Sequence, residues 1–277
     1  MDEHIIEAMG KAKIKIQNGK IVEIGDPQID YCPLFHKYRG IEKLDKESIK
    51  ENINFRIEDF GMCTPDRELR MKDFLSFGIS EIISTLLDDQ ILDCAIIVCE
   101  GCGTIIITEG ELVQGIGGRV SGLLKTSPIP EIIEKIGKEN ILNPKTALIN
   151  QIEGLNLAIK QGYKNIAITI VSLEDVLLLN EIKKNNPNVN IYTFLVHTTG
   201  LSKEDAEILF HNSDIITSCA SKYIREIGEK NSLKIVGQSI PIYGRTEKGR
   251  EFLERRLEKI GGEKPKKDNA PIPDPLI

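Results

Sequence analysis

Residues 93–127 read DCAIIVCEGCGTIIITEGELVQGIGGRVSGLLKTS and contain three of the six cysteines. An apolar run at residues 95–98 leads into Cys99-Glu100-Gly101-Cys102-Gly103, and a second apolar run at residues 104–108 leads out of it. Two short apolar runs on either side of a glycine-rich turn predict a strand, a tight turn and a second strand. The turn presents two thiols three positions apart, so chemistry is expected there first.

The chain beyond this stretch alternates short apolar runs with helical segments. Apolar runs lie at residues 165–171, 190–196, 214–217 and 233–236, with segments of helical spacing between them. Strands that alternate with helices of about 10–15 residues predict βα units. The sequence therefore predicts an α/β fold with a mostly parallel sheet. Ligands bind such sheets beyond the carboxyl ends of the strands, which would place Cys99, His197 and Ser218-Cys219 at one edge.

The N-terminal part begins with a β-hairpin signal. Residues 13–25 carry alternating isoleucines on both sides of Asn18-Gly19. That pair supplies the positive φ angles of a hairpin turn. Residues 48–60 have apolar residues at helical spacing and predict an amphipathic helix.

A helix start is predicted next, at Thr64-Pro65. Threonine suits the N-cap and proline suits the first helical position, so the helix is expected to reach about residue 77. Cys63 would then lie just before the positive end of the helix. A thiolate is stabilised in that position, so the pKa of Cys63 is expected to fall.

Three parts are predicted along the chain. Residues 1–90 form a hairpin and helices that pack on the core, residues 91–260 form the α/β core with its glycine- and cysteine-rich loop, and residues 261–277 form a tail. The tail carries four prolines among mixed charges. Such a composition is typical of an extended or disordered segment, or of a strap that docks across a partner.

Composition limits the classes of partner and location. The net charge of −6 and the pI near 5.5 give no electrostatic reason to expect nucleic acid as a partner. The N-terminus has no apolar segment of a signal peptide, and no run approaches the roughly 20 apolar residues that span a bilayer. A cytoplasmic protein is expected. Its six cysteines are too few for a disulfide scaffold in 277 residues.

The cysteines are candidate metal ligands. Cys99-x-x-Cys102 fits half of a zinc site, part of an iron–sulfur ligand set, or a dithiol pair. A tight turn with one buried and one free cysteine explains it equally well. Together with Cys32, Cys63 and Cys219 the pair could supply the four thiolates of a cluster, although isolated cysteines are more often buried hydrophobic residues. Cys94, inside a predicted strand, is assigned to the core.

A glycine-dense loop is predicted after the second apolar run. The segment GIGGRVSG departs from the dinucleotide fingerprint G-x-G-x-x-G, because Val120 stands at the sixth position. A nest for a phosphate or carboxylate is one interpretation, and a flexible surface loop is the other. The candidate anion- or cofactor-binding residues are Gly115, Gly117, Gly118, Arg119 and Ser121.

His197 is the candidate catalytic residue. It follows a predicted strand beside two threonines, where an imidazole could act as a ligand or a general acid or base. A lone histidine is more often a structural hydrogen-bonding residue. Arg67 and Arg70 could hold an anionic ligand, but a solvated helix face explains them equally well.

Six stretches carry a resemblance to a known family. They are residues 31–35 (YCPLF), 59–67 (DFGMCTPDR), 71–78 (MKDFLSFG), 114–122, 126–130 and 215–221. Together they resemble the methanogenesis marker protein 8 family over nearly the whole chain. The stretches around Cys63 and the glycines are the most specific.

The resemblance implies a cytoplasmic protein of methane-producing archaea that travels with methyl-coenzyme M reductase. It implies a role with that enzyme or its activation complex, and it gives no established reaction or catalytic residues. The order of elements is also similar to that of the coenzyme F420 hydrogenase beta-subunit family. That likeness implies a flavin or deazaflavin and iron–sulfur clusters.

The leading hypothesis is an accessory protein of methanogenesis that holds a thiolate-ligated metal, above all an iron–sulfur cluster. It would act in redox maturation or activation of methyl-coenzyme M reductase. A metal-free enzyme that uses the glycine loop and His197 on an anionic small molecule is a second hypothesis. A non-catalytic assembly factor that docks through its proline-rich tail is a third.

Overall fold

The computed structural model describes residues 2–73, 76–119, 122–263, 265 and 269–277. Two sheets organise these residues: a small sheet in the order β3-β2-β1-β6 and a large sheet in the order β10-β11-β9-β8-β7-β4-β5. The strands are β1 (Glu3–Ala8), β2 (Ala12–Gln17), β3 (Lys20–Ile24), β4 (Cys94–Cys99), β5 (Gly103–Ile107), β6 (Gly122–Lys125), β7 (Asn165–Ile170), β8 (Asn190–Leu195), β9 (Ile215–Thr217), β10 (Lys234–Val236) and β11 (Ile242–Gly244).

Ten α-helices are described, with one 3-10 helix at Lys138–Asn140. They are α1 (Pro33–Arg39), α2 (Lys46–Phe60), α3 (Ile79–Asp88), α4 (Gly110–Gly117), α5 (Pro130–Ile136), α6 (Gln151–Lys160), α7 (Leu173–Asn185), α8 (Lys203–His211), α9 (Lys222–Asn231) and α10 (Glu247–Lys259). In the described part of the chain no helix is long and apolar enough to cross a membrane.

The small sheet is antiparallel throughout and contains the predicted hairpin. β2 and β3 pair across Asn18 (φ 48°) and Gly19 (φ 70°). Both angles are positive, as a two-residue hairpin turn requires. β1 pairs with β2 on one side and with β6 on the other, so residues more than 100 positions apart meet on this sheet.

The large sheet is mixed. β4, β7, β8 and β9 are adjacent and parallel, which agrees with the predicted βα units. β5, β10 and β11 pair antiparallel with their neighbours. The α/β class is therefore confirmed, whereas the parallel arrangement is limited to the four central strands. Their carboxyl ends share one edge, as predicted.

Three apolar clusters hold these layers together. One face of the large sheet packs on a cluster that includes residues of α3, α4, α5 and α10. The other face packs on residues of α6, α7, α8 and α9. The third cluster lies between the small sheet and α2, and it includes Met62 and Cys63. The residues just after α2 therefore belong to the N-terminal core.

The helix predicted from Pro65 to about residue 77 is wrong at residues 65–73 and 76–77, the described part of that range. α2 ends at Gly61 (φ 71°), and the chain continues through turns and extended backbone. Thr64 does not cap a helix, because its hydroxyl donates to the carbonyl of Gly61 at 2.8 Å. Burial of Arg67 overrides the local helix signal, since its side chain is fully enclosed. Phe74 and Leu75 lie outside the described residues.

The predicted glycine loop is also wrong in part, because Gly110–Gly117 forms helix α4. Gly115 lies inside that helix, and a Cβ placed on it would come within 2.0 Å of the Leu69 carbonyl oxygen. The glycine is needed because another segment crosses the helix there. Val120 and Ser121 lie outside the described residues.

The tail residues 269–277 return to the chain's own body. Asp274 pairs with Tyr31 through backbone hydrogen bonds of 2.9 and 3.1 Å. Ile277 donates to the Ala220 carbonyl and accepts from the Lys222 amide, both at 3.0 Å. This part of the predicted tail is extended and binds the N-terminal layer to the start of α9.

Candidate functional site

The Cys99–Cys102 turn joins β4 to β5, as the sequence predicts. The Cys102 amide donates to the Cys99 carbonyl at 3.1 Å, which closes the turn, and both side chains are fully buried. Side-chain hydrogen bonding with Cys102, burial and the nearby Glu100 carboxylate raise the pKa of the Cys99 thiol well above its ordinary value. Gly101 has φ 81°, and a Cβ there would lie 2.8 Å from Ile129. The two thiols are therefore held together and away from solvent.

A buried ion pair lies beside these thiols. Arg67 Nε is 2.5 Å from Glu100 Oε1, and neither side chain is exposed. Arg67 also donates to the Gly115 carbonyl at 3.0 Å and to the Glu68 carbonyl. The Glu100 carbonyl oxygen is 3.3 Å from Cys99 Sγ, and Glu100 Oε2 is 3.9 Å from it. The pair compensates its own charge, so this environment is electrically neutral.

Cys63 lies in the same charged environment. It is fully buried with φ 59°. Burial, followed by the charge of Glu100, raises its pKa well above the ordinary value of a thiol, and the charge of Arg67 only partly opposes this. The prediction of a lowered pKa is therefore wrong, because no helix begins after Cys63 and the thiol is enclosed. Cys63, Cys99 and Cys102 gather around Glu100 and Arg67.

The other two candidate ligands lie elsewhere. Cys219 follows β9, and the four parallel strands run in the order β4, β7, β8, β9. Neighbouring strands are about 4.8 Å apart, which separates β4 from β9 by about 14 Å. Cys32 is buried near Cys219, whose charge adds to the effect of burial in raising the pKa of Cys32. The five cysteines thus form two groups.

A hydrogen-bonded chain links the turn to the small sheet. Thr126 Oγ1 accepts from the Gly101 amide at 2.7 Å and lies 2.7 Å from His4 Nδ1. Asp2 Oδ1 lies 2.8 Å from His4 Nε2. Burial lowers the pKa of His4, although Asp2 and Glu100 oppose this. The imidazole is neutral at pH 7, so we assign its proton to Nε2, which faces Asp2.

His197 lies where it was predicted, just after β8 at the carboxyl edge of the sheet. Its φ is 56°, and its side chain is partly buried. Burial and the charge of Lys11 lower its pKa to about 4. The Lys11 ammonium donates to the Thr199 carbonyl at 3.1 Å, so the turn between β1 and β2 reaches this edge. A neutral imidazole could accept a proton here. β7 lies between this residue and the cysteine turn.

His197 should make the protein less stable in mild acid. Its pKa is about 4 in the folded protein and 6.5 in the unfolded chain, so the unfolded chain binds more protons in this window. Stability should fall by up to about 3 kcal/mol as pH decreases from 6.5 to 4. His197→Asn, which tolerates positive φ, should remove this part of the decrease in urea unfolding measured across that range. His211→Asn, at an exposed histidine, is the control, and equal pH dependence in both variants would contradict the assignment.

The described candidates for the anion nest, Gly115, Gly117, Gly118 and Arg119, lie in or just after helix α4. Gly115 and Gly117 belong to the last turns of α4, and Gly118 caps it. A helix C-terminus presents carbonyl oxygens, which disfavour an anion. Arg119 is engaged, with Nε 2.9 Å from Met71 Sδ and the guanidinium over the Phe60 ring at 4.9 Å. An anion-binding role for these residues and for Ser121 stays a prediction.

Three residues of this region were missed in the sequence: Asp2, His4 and Thr126. Only Thr126 contacts the cysteine turn, and His4 and Asp2 are linked to it through Thr126, which is 122 positions from His4 in the chain. The sequence did contain one signal for His4. Side chains alternate between the two faces of a strand, so His4 shares the buried face of β1 with Ile6 and Ala8. A polar residue on a buried face needs a partner, so His4 could have been singled out.

Comparison with known proteins places the chain in a family. Residues 4–258 match a family described as "Uncharacterized protein conserved in archaea (DUF2099)". An uncharacterised protein of Methanocaldococcus jannaschii is 43% identical over 285 residues, an alignment that covers 100% of both chains. The match includes the cysteine turn and the strands around it. The chain therefore belongs to the DUF2099 family of uncharacterised proteins conserved in archaea.

Proposed function

We propose that this protein is a cytoplasmic accessory protein of methanogenesis, of the methanogenesis marker protein 8 type. Its working group is the Cys99–Cys102 pair, which holds a thiolate-bound metal or iron–sulfur centre. The protein acts in redox maturation or activation of methyl-coenzyme M reductase. The observation that carries the proposal is the paired, buried thiols beside the Arg67–Glu100 ion pair.

The charge balance around the thiols supports a metal. The charges of Arg67 and Glu100 cancel, so the ion pair leaves no positive charge to balance a thiolate. Removing both thiol protons would bury two uncompensated negative charges, which is strongly unfavourable. A divalent cation would restore neutrality, and soft thiolates prefer zinc or iron. A bound centre of this kind would supply Lewis-acid chemistry or electron transfer.

The ligand count limits the kind of site that is proposed. Among the residues that the structure describes, no three His, Cys, Asp or Glu side chains already surround a common point suited to a metal ion. Cys99 and Cys102 would supply two ligands, and Cys63, whose pKa is also affected by Glu100 and Arg67, is the further candidate. A complete four-cysteine set does not fit this conformation, because Cys32 and Cys219 form the other group. Two resident ligands are half of a tetrahedral set, and because both thiols are fully buried a partner would complete the set only after the turn opens.

A cleft beside the ion pair gives a place for such a partner. Residues 66–70 line it, together with Leu112 and Lys135. The Lys135 ammonium donates to the carbonyls of Pro65 and Arg67, at 3.3 and 3.1 Å. The segment that carries Arg67 therefore separates this cleft from the buried thiols. Methyl-coenzyme M reductase as the partner rests on the sequence resemblance.

The test is anaerobic purification, followed by metal, acid-labile sulfide and absorbance analysis of one sample. We expect bound iron or zinc, and the double variant Cys99→Ser/Cys102→Ser should lose it. The double variant Cys32→Ser/Cys219→Ser is the matched control and should keep it. Unchanged metal content in the first variant would contradict the role of the pair. Loss of metal in both variants would instead support the five cysteines as one ligand set.

A metal-free enzyme is a second candidate, and His197 favours it. The neutral imidazole beside Lys11 at the carboxyl edge of the sheet suits proton transfer on an anionic substrate. If the purified protein is metal-free and a pathway coenzyme raises its unfolding temperature, this candidate replaces the first. His197→Asn should then abolish turnover and leave the thermal shift in place.

A further inference from the structure

The Glu100–Gly101 peptide group joins the dithiol to the small sheet. On one side, its carbonyl oxygen accepts the Cys99 thiol proton, with 3.3 Å between oxygen and sulfur. On the other side, its amide donates to Thr126 Oγ1 at 2.7 Å. A peptide group is planar, so the orientation of the amide fixes the orientation of the carbonyl. Whatever holds the Gly101 amide therefore also sets the acceptor of the Cys99 thiol.

His4 sets the direction of the Thr126 hydroxyl. With its proton on Nε2 towards Asp2, His4 offers a lone pair at Nδ1, 2.7 Å from Thr126 Oγ1. The hydroxyl then donates to His4 and accepts from Gly101. Both side chains are buried, at 0% and 6% exposure. A buried donor left without an acceptor costs about 1–3 kcal/mol, so this arrangement is strongly preferred.

The two hydrogen bonds of this chain run in one direction, towards His4. Gly101 donates to Thr126, Thr126 donates to His4, and His4 carries its proton on the side of Asp2. The next peptide group is also held, because the Ile129 amide donates to the Gly101 carbonyl at 2.9 Å. Residues 126–129, which directly follow β6, therefore hold the turn in place through these hydrogen bonds. The cysteine pair lies on the large sheet, but the hydrogen bonds that fix its turn come from residues in or next to the small sheet.

We infer that His4 and Thr126 are positioning residues of the Cys99–Cys102 pair and that they keep the thiols ordered and closed to solvent. The inference rests on the proposed role of this pair as the working group. It adds the small sheet to the site, so that β1 and the residues after β6 become part of the dithiol's environment. Neither residue touches a thiol, and each acts through the Glu100–Gly101 peptide group.

The chain offers closely matched variants for a test. Thr126→Val removes the hydroxyl and keeps the shape, while Thr126→Ser keeps the hydroxyl. His4→Asn keeps an acceptor near the position of Nδ1. Ser127→Ala is the control, because Ser127 bonds to the backbone of Glu3 at 3.0 and 3.1 Å and does not contact the turn. Cys94 is an internal reference, since it is buried in β4 and becomes reactive only when the core opens.

The experiment measures alkylation of each cysteine by iodoacetamide in the folded full chain, with peptides quantified by mass spectrometry. Thr126→Val should raise labelling of Cys99 and Cys102 about tenfold relative to Cys94, as expected when one buried hydrogen bond is lost. Thr126→Ser, His4→Asn and Ser127→Ala should stay near the wild-type ratio. An unchanged ratio in Thr126→Val would overturn the inference, whether labelling stays low or rises equally at all three cysteines.

This readout is independent of metal. If the ratio rises as expected and the protein binds no metal, the inference stands and the proposed function fails. If metal is bound at Cys99 and Cys102 but the ratio does not change, the proposed function stands and the inference fails. Labelling is done after metal removal by a chelator, so that a bound ion cannot mask the thiols.

Discussion

Replacing Arg67 with methionine is expected to destabilise the folded protein by about 3–5 kcal/mol, because Glu100 is left charged and buried without its partner. Arg67 is fully enclosed and bonds to the Glu100 carboxylate and to the carbonyls of Glu68 and Gly115. The substitution leaves all three acceptors without their donor. Urea unfolding followed by far-ultraviolet circular dichroism measures the loss.

Two further variants separate the buried charge from the lost packing. Arg67→Met/Glu100→Gln removes both charges, so it should be more stable than Arg67→Met alone. Arg70→Met is the matched control, because the pair of Arg70 with Glu109 has side chains that are about half exposed, at 52% and 53%. Exposed pairs contribute about 0–1 kcal/mol. An equal loss of unfolding free energy in Arg67→Met and Arg70→Met would show that breaking the buried ion pair costs no more than breaking the exposed one.

Elements with a strong local pattern were predictable from the sequence. The hairpin at Asn18-Gly19, helix α2 and the strand–turn–strand at Cys99–Cys102 all depend on residues within one or two turns of chain. The helix predicted between the apolar runs at residues 165–171 and 190–196 forms as α7, and the Ser172 hydroxyl caps it by accepting from the Asp175 amide at 3.2 Å. Each of these elements is confirmed because local preference and tertiary packing agree.

The segment after α2 was not predictable, because tertiary contacts decide it. Thr64-Pro65 carries the residue types of a helix start, but Gly61 lies against the backbone of Asp66, and a Cβ there would be 2.6 Å from the Asp66 carbonyl carbon. Burial of Arg67 against Glu100, which is 33 positions away, needs a different backbone path. A local signal worth about 1 kcal/mol cannot oppose a buried ion pair.

About half of the candidate site could be predicted from the sequence. Cys99 and Cys102 were identified from their spacing in a glycine-rich turn, and His197 from its place after a strand. The grouping of Cys63 with this turn, and the support from His4 and Thr126, required knowledge of which strands pair. Periodicity within a strand reveals its buried face but not its neighbour, so β6 could not be placed beside β1 from the sequence. The division of the cysteines into two groups follows from that same strand order.

Gly115→Ala is expected to destabilise the protein by about 3 kcal/mol or more, although alanine is the better helix former by about 1 kcal/mol. The added Cβ would lie 2.0 Å from the Leu69 carbonyl oxygen and 2.9 Å from the carbonyl carbon of Arg70. Both are backbone atoms, and both belong to the segment that carries Arg67. Because Arg67 also donates to the Gly115 carbonyl at 3.0 Å, relief of this contact would disturb the ion pair.

Gly117→Ala is the control within the same helix. Its nearest neighbour would be Ser80 Cβ at 3.5 Å, an ordinary contact, so helix propensity should decide and the variant should be neutral or up to about 1 kcal/mol more stable. Urea unfolding of both variants measures the difference. If the free energy of unfolding falls in Gly115→Ala and does not fall in Gly117→Ala, the close approach of residues 69–70 to α4 is the reason for the glycine at position 115. Equal and small effects would mean that no close crossing exists, and the flexible-loop interpretation of this segment would return. The close approach of residues 69–70 is by itself a reason for a glycine at position 115, next to the Arg67–Glu100 ion pair. An anion-binding role is not needed to explain that glycine.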